Sequence, residues 1–547
     1  MTRSFLLFRS IEDMVTFQER FFSWALAVCI IALFLALGSR ALWDPDEGRY
    51  AEMAREILVL DDWVTPHLDY LPYFEKPMMY MWLEALSFKA FGVSPWSARL
   101  VSLVSALGVV SLAGFMGYRS WGAKAGLTAA LCLLTSIEFF VLAHSVDINM
   151  TLTLFITAAF VFFWIGHAEN KPGYFLLFWT AMACATLTKG PIGIILPLGA
   201  IGLYVLITRQ FGLIRQSRPV IGITLYLVLT LPWFIMVSMK NPDFFRYFFI
   251  DQNIQRYTSS TERYQPFYYF IPVMLGGFLP WTFLVPSAVI RLWGNRSSRD
   301  ILYLAIWFGF IFAFFTPSHS KLATYVLPCF PAMAMLMGRA FREDTPEGSL
   351  PLYLSGTLWG CIGLAMVMVP PLAAHGFALG RSSGMSPVLS SGTLMGLLLF
   401  AGILAGLWSG RRYGSLTGVA VTGMAVMITA LVFAPRWDDN RSTRSLSEVI
   451  PPQARLCSYR TYYPSMSFYT KRQISLIDYR GELEFGVRNN HTEGYVLDLN
   501  ELAEQMKNDP LVYCVTDAHY LKDIRKMVPN TILTCREGNH CLLHVPR

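Results

Sequence analysis

The sequence predicts a mainly α-helical polytopic membrane protein that carries a small C-terminal α/β domain. Three observations predict it. Of 547 residues, 54% are apolar and only 15% charged, and the mean hydropathy is +0.43; a soluble domain carries about a quarter charged residues. Thirteen apolar runs follow one another, most near the roughly 20 residues that a helix needs to cross a bilayer. After residue 435 the charge rises and the apolar runs become short.

The candidate spans are roughly 24–40, 98–118, 123–143, 147–166, 174–189, 191–208, 219–238, 268–290, 301–316, 322–340, 351–373, 392–409 and 417–435. The first is too long and too far from the start for a cleaved leader, and no small-residue cleavage site follows it, so it reads as an uncleaved first span. Basic residues orient the set. Arg3, Arg9, Arg20, Arg119, Lys124, Lys171, Arg209, Arg215, Arg218, Arg291, Arg296, Arg299, Arg339, Arg342, Arg411 and Arg412 fall on one side. Short loops on the other side carry only Lys189, Lys321 and Arg381. The positive-inside rule makes the first side cytoplasmic. The loop 41–97, the loop 239–267 and the segment beyond the last span then face outwards. The net charge of +7 is spent in these loops rather than on one soluble face, so no nucleic-acid partner is expected.

Residues 436–547 contain RLCSY, QISLID, GYVLDL, LVYCVT, TILTC and HCLLHV, which read as strands. Helices are expected near 499–507 and 518–527, and a loop over 376–391. Four of nine cysteines lie in this tail, and Cys535 and Cys541 flank a turn-like stretch, which makes them the more plausible disulfide pair in an oxidising compartment. The five cysteines inside apolar runs need no function.

The first outer loop is the most informative segment. It opens LWDPDEGRYAEMAREIL, with Asp44, Asp46 and Glu47 just beyond the first span. A helix over about 47–58 with Asp46 as its cap would use one of these carboxylates. Three of them with Arg49 at a membrane surface exceed what a cap requires. Farther on, Pro77 suits the first turn of a second helix, about 77–91, apolar on several sides and expected to lie in the interface. Glu75 and Lys76 precede it, either as a solvated ion pair or with Lys76 gripping a phosphate near the helix start. Asp147 and Asn149 at the fourth span, Lys189 at the end of the fifth, and His319 and Lys321 between the ninth and tenth fall on the same outer face. Ionisable groups at such depths are costly and often mark function. Carboxylates beside cations at the membrane edge suit group transfer with an anionic leaving group such as a polyprenyl phosphate.

The stretches DPDEGRYAEMAREIL, YFEKPMMYMWLE, LTKGPIGIILP, NPDFFRYFFIDQNIQRY and SHSKLATYVLPCFPAMAML occur in this order across about 300 residues. In them the chain resembles the lipid A aminoarabinose transferases, members of the GT-C glycosyltransferases that also include protein mannosyltransferases. The resemblance implies a GT-C helical bundle, an undecaprenyl-phosphate-linked sugar as donor, and lipid A or a related glycan or lipid as acceptor. It places Asp46, Glu47 and Asp147 in the reaction centre, and Arg49, Tyr50, Glu75, Lys76, Asn149, Lys189, Arg256, His319, Lys321 and Tyr325 around substrate and carrier phosphate. Asn253 stands where some relatives carry a histidine that helps hold a metal with the loop glutamate, here Glu75. No obligatory metal is therefore expected, a divalent ion near Glu75 remaining an alternative, and the chain is expected to act as a monomer among membrane lipids. A protein mannosyltransferase-like enzyme with a hydroxyl acceptor, or a lipid or sugar transporter, are the competing readings. Transporters place their charges near the midplane, often between repeats, whereas here they gather at one face and no repeat is evident.

Overall fold

The computed structural model describes residues 2–255, 264–342, 386–413, 415–433, 441–479, 481–489 and 511–544, with isolated positions between these stretches. A long first helix, α1 (Thr2–Ala36), carries the first apolar run. The outer loop then folds as α2 (Asp46–Leu60), a two-residue hairpin β1 (His67–Leu68) and β2 (Leu71–Pro72), and α3 (Met79–Phe91). Both helices predicted for this loop are present, α3 beginning two residues after Pro77. Asp46 is not a cap: Pro45 holds that position and Asp46 is the first helical residue.

Most of the apolar runs map onto α4 (Pro95–Trp121), α5 (Ala123–Leu134), α6 (Ile137–Ala143), α7 (Ile148–Ala168), α8 (Pro172–Lys189), α9 (Ile192–Thr208), α10 (Gly212–Gln216) and α11 (Pro219–Lys240). The rest map onto α12 (Phe270–Gly277), α13 (Val285–Trp293), α14 (Arg299–Phe315), α15 (Phe330–Ala340), α16 (Ser386–Tyr413) and α17 (Ser415–Phe433). Local signals fix several starts. Ser94 and Ser97 cap α4 reciprocally ahead of Pro95. Asp147 caps α7, its carboxylate accepting from the amides of Asn149 and Met150. Gly190, at φ +80°, turns the chain from α8 into α9 directly after Lys189.

Among the described residues, five helices are long and apolar enough to cross a bilayer: Glu19–Ala36, α4, α7, α11 and Leu416–Phe433. Two broken pairs, α5 with α6 and α12 with Trp281–Trp293, bend by 70° and 99° and raise the number to seven. Several of the thirteen runs fold as bent pairs or as helices of 17 residues or fewer, such as α9, α14 and α15. The run 351–373 lies outside the described residues, as does 376–385. Residues 386–391, expected as loop, begin α16. The protein is a multi-pass membrane protein.

One apolar core runs through the bundle. A second joins α2 and α3 to the C-terminal segment, with Tyr50, Ala54, Phe74 and Tyr80 packed among Leu446, Met466, Leu476 and Leu542. That segment is a six-stranded sheet in the order β5-β4-β3-β6-β8-β7, from β3 (Arg455–Tyr459), β4 (Ser475–Ile477), β5 (Val496–Leu497), β6 (Val512–Asp517), β7 (Ile532–Glu537) and β8 (His540–His544). Strands β5, β4, β3 and β6 are parallel neighbours, and β6, β8 and β7 antiparallel. All six strands read from the sequence are present, and the helix expected at 518–527 appears as Ala518–Tyr520 followed by Leu521–Met527. Most of 499–507 lies outside the described residues. The expected Cys535–Cys541 bridge is not formed. Register sets Cys535 against Leu542 and Cys541 against Arg536, so the two thiols project from opposite faces of the hairpin.

Candidate active site

The first turn of α2 points its two carboxylates in different directions. Glu47 is buried, with 6% of its side chain exposed. Arg40 Nη2 donates to its Oε1 at 3.0 Å, Arg99 donates to both oxygens at 2.8 and 3.0 Å, and the amides of Trp43 and Val146 complete the shell at 2.9 and 3.0 Å. Burial alone would raise this carboxyl, but the Arg99 and Arg40 guanidiniums outweigh it and hold Glu47 below the ordinary range. Glu47, expected among the catalytic groups, has its acceptor positions filled by Arg40, Trp43, Arg99 and Val146.

Asp46 is one residue away and 63% exposed. Its Oδ1 accepts from Arg49 Nη1 at 3.0 Å. Arg49 is buried, and its Nη2 meets Glu482 Oε2 at 2.6 Å. Its Nε is buried and has no acceptor among the described residues. Glu482 comes from the C-terminal segment, and no sequence signal pointed to it. Burial pushes its carboxyl up, against the pull of Arg49. A second link lies beside it. Asp44 accepts from the Ser465 amide at 2.8 Å and from the Ser465 hydroxyl. Gly48 permits this approach, since a Cβ there would stand 2.5 Å from the Ser465 nitrogen. Burial pushes the Asp44 carboxyl up to about 7, opposed by these hydrogen bonds and by Arg49.

A polar cavity opens on the same side. Glu75, Lys76, Lys189, Gln252, Asn253, Tyr257, Ser318, Ser320 and Tyr325 line it, with Ile192 and Phe315. Lys76 Nζ lies 2.9 Å from the Glu75 carbonyl and 3.7 Å from its carboxylate. Lys189 Nζ sits 4.5 Å from the centre of the Tyr325 ring and donates to Asn149 Oδ1. Asn149 in turn donates to Asp147 at 3.3 Å and to Thr324 at 3.1 Å. Asp147 has Asp46 and Lys189 as electrostatic neighbours, and Glu482 has Glu75 and Asp46. The fold thus gathers Asp46, Arg49, Glu75, Lys76, Asp147, Asn149, Lys189 and Tyr325 from five separate stretches of chain.

Tyr50 is buried edge-on against Tyr80, with Asp46, Arg49, Asp147 and Glu75 as electrostatic neighbours. The Lys321 ammonium is held by the carbonyls of Gln265 and Ser318, and the residue does not line the cavity. His319 uses its backbone amide on the Tyr257 carbonyl, and its ring lies 6.4 Å from Tyr264. Lys321 and His319, expected around a carrier phosphate, stand outside the cavity lining, on either side of Ser320, which is part of it. Arg256 lies outside the described residues. Gln252 and Tyr257 were not anticipated, the π-type turn over Arg246–Gln255 that carries Gln252 having no periodic signature. Among the described residues no group of three or more His, Cys, Asp or Glu could hold a metal ion.

Comparison with known proteins places the chain in a family. The profile of dolichyl-phosphate-mannose-protein mannosyltransferases matches residues 20–248, and that of the aminoarabinose transferase C-terminal domain matches 442–537. The undecaprenyl phosphate-alpha-4-amino-4-deoxy-L-arabinose arabinosyl transferase of Erwinia tasmaniensis is 30% identical, over 86% of this chain and 88% of its own length. The chain belongs to this family. The namesake transferase of Edwardsiella ictaluri is 29% identical over 95% of this chain and 98% of its own. Among solved structures, ArnT from Cupriavidus metallidurans bound to undecaprenyl phosphate aligns at a TM-score of 0.83 and 27% identity, over 95% of this chain and 97% of that one. Its apo state aligns at 0.80. Membership makes this chain a GT-C glycosyltransferase that depends on a lipid-linked sugar, as the ordered sequence segments implied.

Proposed function

We propose that the chain transfers 4-amino-4-deoxy-L-arabinose from undecaprenyl phosphate to a lipid A phosphate, at the cavity beside Asp46 on the periplasmic face of the bacterial inner membrane. The observation that carries the reading is the meeting of two cavities at the α8–α9 corner. Lys189 and Ile192 face the polar cavity, whereas Thr186, Pro191 and Ile194 face an apolar groove of about 580 Å³ completed by Tyr226, Leu231, Phe234 and Phe249. A polyprenyl phosphate has this shape: an apolar tail for the groove and an anionic head for Lys189 and Lys76.

In the reaction the bond from the sugar's anomeric carbon to the carrier phosphate breaks, and an acceptor phosphate oxygen bonds to that carbon. Undecaprenyl phosphate leaves with one more negative charge. Lys76 and Lys189 neutralise that charge as it develops. A phosphate acceptor is already ionised near neutral pH, so no strong base is needed. Asp46, held by Arg49, orients the donor sugar and balances positive charge at its anomeric carbon. Asp147 and Asn149 set the position of Lys189, and Glu482 sets that of Arg49. Glu47 is structural.

The architecture belongs to the proposal: thirteen crossings, a cytoplasmic amino terminus, a transmembrane catalytic domain over 1–435, a periplasmic domain over 436–547, and a monomer. Reconstituted full-length protein given the lipid-linked sugar and lipid A tests it. The expected result is sugar-modified lipid A that fails to form with Asp46→Asn. Unmodified lipid A with wild-type protein, or full activity of Asp46→Asn, would overturn it.

A further inference from the structure

A further cavity, of about 360 Å³, lies at the opposite end of α8 from Lys189. Its walls are apolar: Phe163 of α7, Trp179 of α8, Ile201 and Val205 of α9, and Phe211 and Ile214 around α10. This volume is in the range of small-ligand sites. It is a built feature. Trp179 Nε1 donates to the Ser217 carbonyl at 2.9 Å, which pins α10 across the ends of α8 and α11. His167 on α7 meets Gln216 at 3.3 Å on the other side. Leu206, Phe211 and Ile214 are each more than half exposed at its mouth, so the cavity opens towards lipid rather than into the core.

The charge at the rim is one-sided. The stretch TRQFGLIRQSRP, residues 208–219, holds Arg209, Arg215 and Arg218, all exposed, and no acidic residue occurs anywhere between residues 171 and 242. The neighbouring carboxylate of Glu169 is occupied by Arg119 and Lys171. The positive-inside rule explains basic residues at this end of the bundle. It does not explain an apolar cavity beneath them.

We propose that this cavity binds an anionic glycerophospholipid of the cytoplasmic leaflet. One acyl chain enters between α8, α9 and α10, and the phosphate rests on Arg215 and Arg218. Basic clusters over pockets between transmembrane helices suit anionic headgroups. The site is separate from the sugar-transfer site and stands whether or not that reading holds.

Native mass spectrometry of the full-length protein, given equal amounts of dioleoyl phosphatidylglycerol and dioleoyl phosphatidylcholine, tests it. At roughly fivefold per arginine, the wild type is expected to retain phosphatidylglycerol about thirtyfold better, and Arg215→Gln/Arg218→Gln is expected to abolish the preference. Both side chains are exposed, so the double variant keeps the fold. Gly202→Phe fills the cavity, since a Cβ at Gly202 would meet nothing within 4 Å; it is expected to lower retention of both lipids. Equal retention of the two lipids by wild type, an unchanged preference in the arginine variant, or unchanged retention in Gly202→Phe would each overturn the proposal.

Discussion

Asp46 and Glu47 are adjacent carboxylates on one turn of α2, and they live in different surroundings. Glu47 faces inwards, where two guanidiniums and two backbone amides fill its acceptor positions. Asp46 faces outwards, with one partner at 3.0 Å and most of its surface open. Successive residues on a helix are turned by about 100°, so one step along the chain separates a fixed anchor from a group with bonding capacity to spare. A saturated carboxylate holds structure together; an exposed one with bonding capacity to spare is available to a substrate.

The sharpest way to break this contrast is Glu47→Ala. It strands Arg40 and Arg99 in the protein interior, and unpairing buried ions costs about 3–5 kcal/mol. Loss of folded, monodisperse protein in detergent is expected, read by yield and thermal unfolding. Asp46→Asn is expected to leave unfolding unchanged while transfer falls roughly 100- to 1,000-fold, the usual cost of one transition-state contact. If both variants unfold, or both fold and lose activity equally, the contrast fails. Lys189→Met removes a cation from the polar cavity. It is expected to raise the apparent KM for the lipid-linked donor by roughly tenfold, the equivalent of about 1.4 kcal/mol, in steady-state assays.

Glu482→Gln weakens the ion pair with Arg49 but keeps a hydrogen bond, so a loss of a few-fold in transfer is expected, on the order of 1 kcal/mol. An effect of the same size in an Arg49→Lys background would show that Glu482 does not act through Arg49. A pH dependence of stability is a separate check. The Asp44 carboxyl, pushed up to about 7 by burial, binds a proton in the folded protein at pH values where the unfolded chain has lost it. Stability from this group is therefore greatest in acid and falls as pH rises from about 4 to about 7, by on the order of 4 kcal/mol. Thermal unfolding at pH 5 and pH 8 measures it, and Asp44→Asn is expected to flatten the difference.

Much of this was legible along the chain. The six C-terminal strands each carry a short β-rich run between turn residues, and both loop helices begin near a proline. Lys76, Lys189 and Tyr325 could be tied to one face because each sits at the same end of its apolar run. What stayed hidden depends on distance in sequence. Ser465 is 421 residues from Asp44, and Glu482 reaches Arg49 only because the C-terminal segment shares an apolar core with α2 and α3. Lys321 stands out in the sequence because its charge lies in an apolar stretch, but its contacts with the carbonyls of Gln265 and Ser318 could not be read there. Hydropathy also does not register the 70° and 99° bends that break two of the runs.

The most direct test of the central claim is mass spectrometry of lipid A after reaction with reconstituted wild-type protein, Asp46→Asn and Glu47→Gln, each normalised to folded protein. The account predicts a sugar-sized addition with wild type, little or none with Asp46→Asn, and substantial addition from whatever fraction of Glu47→Gln folds. Full addition with Asp46→Asn, or none with folded Glu47→Gln, would contradict it.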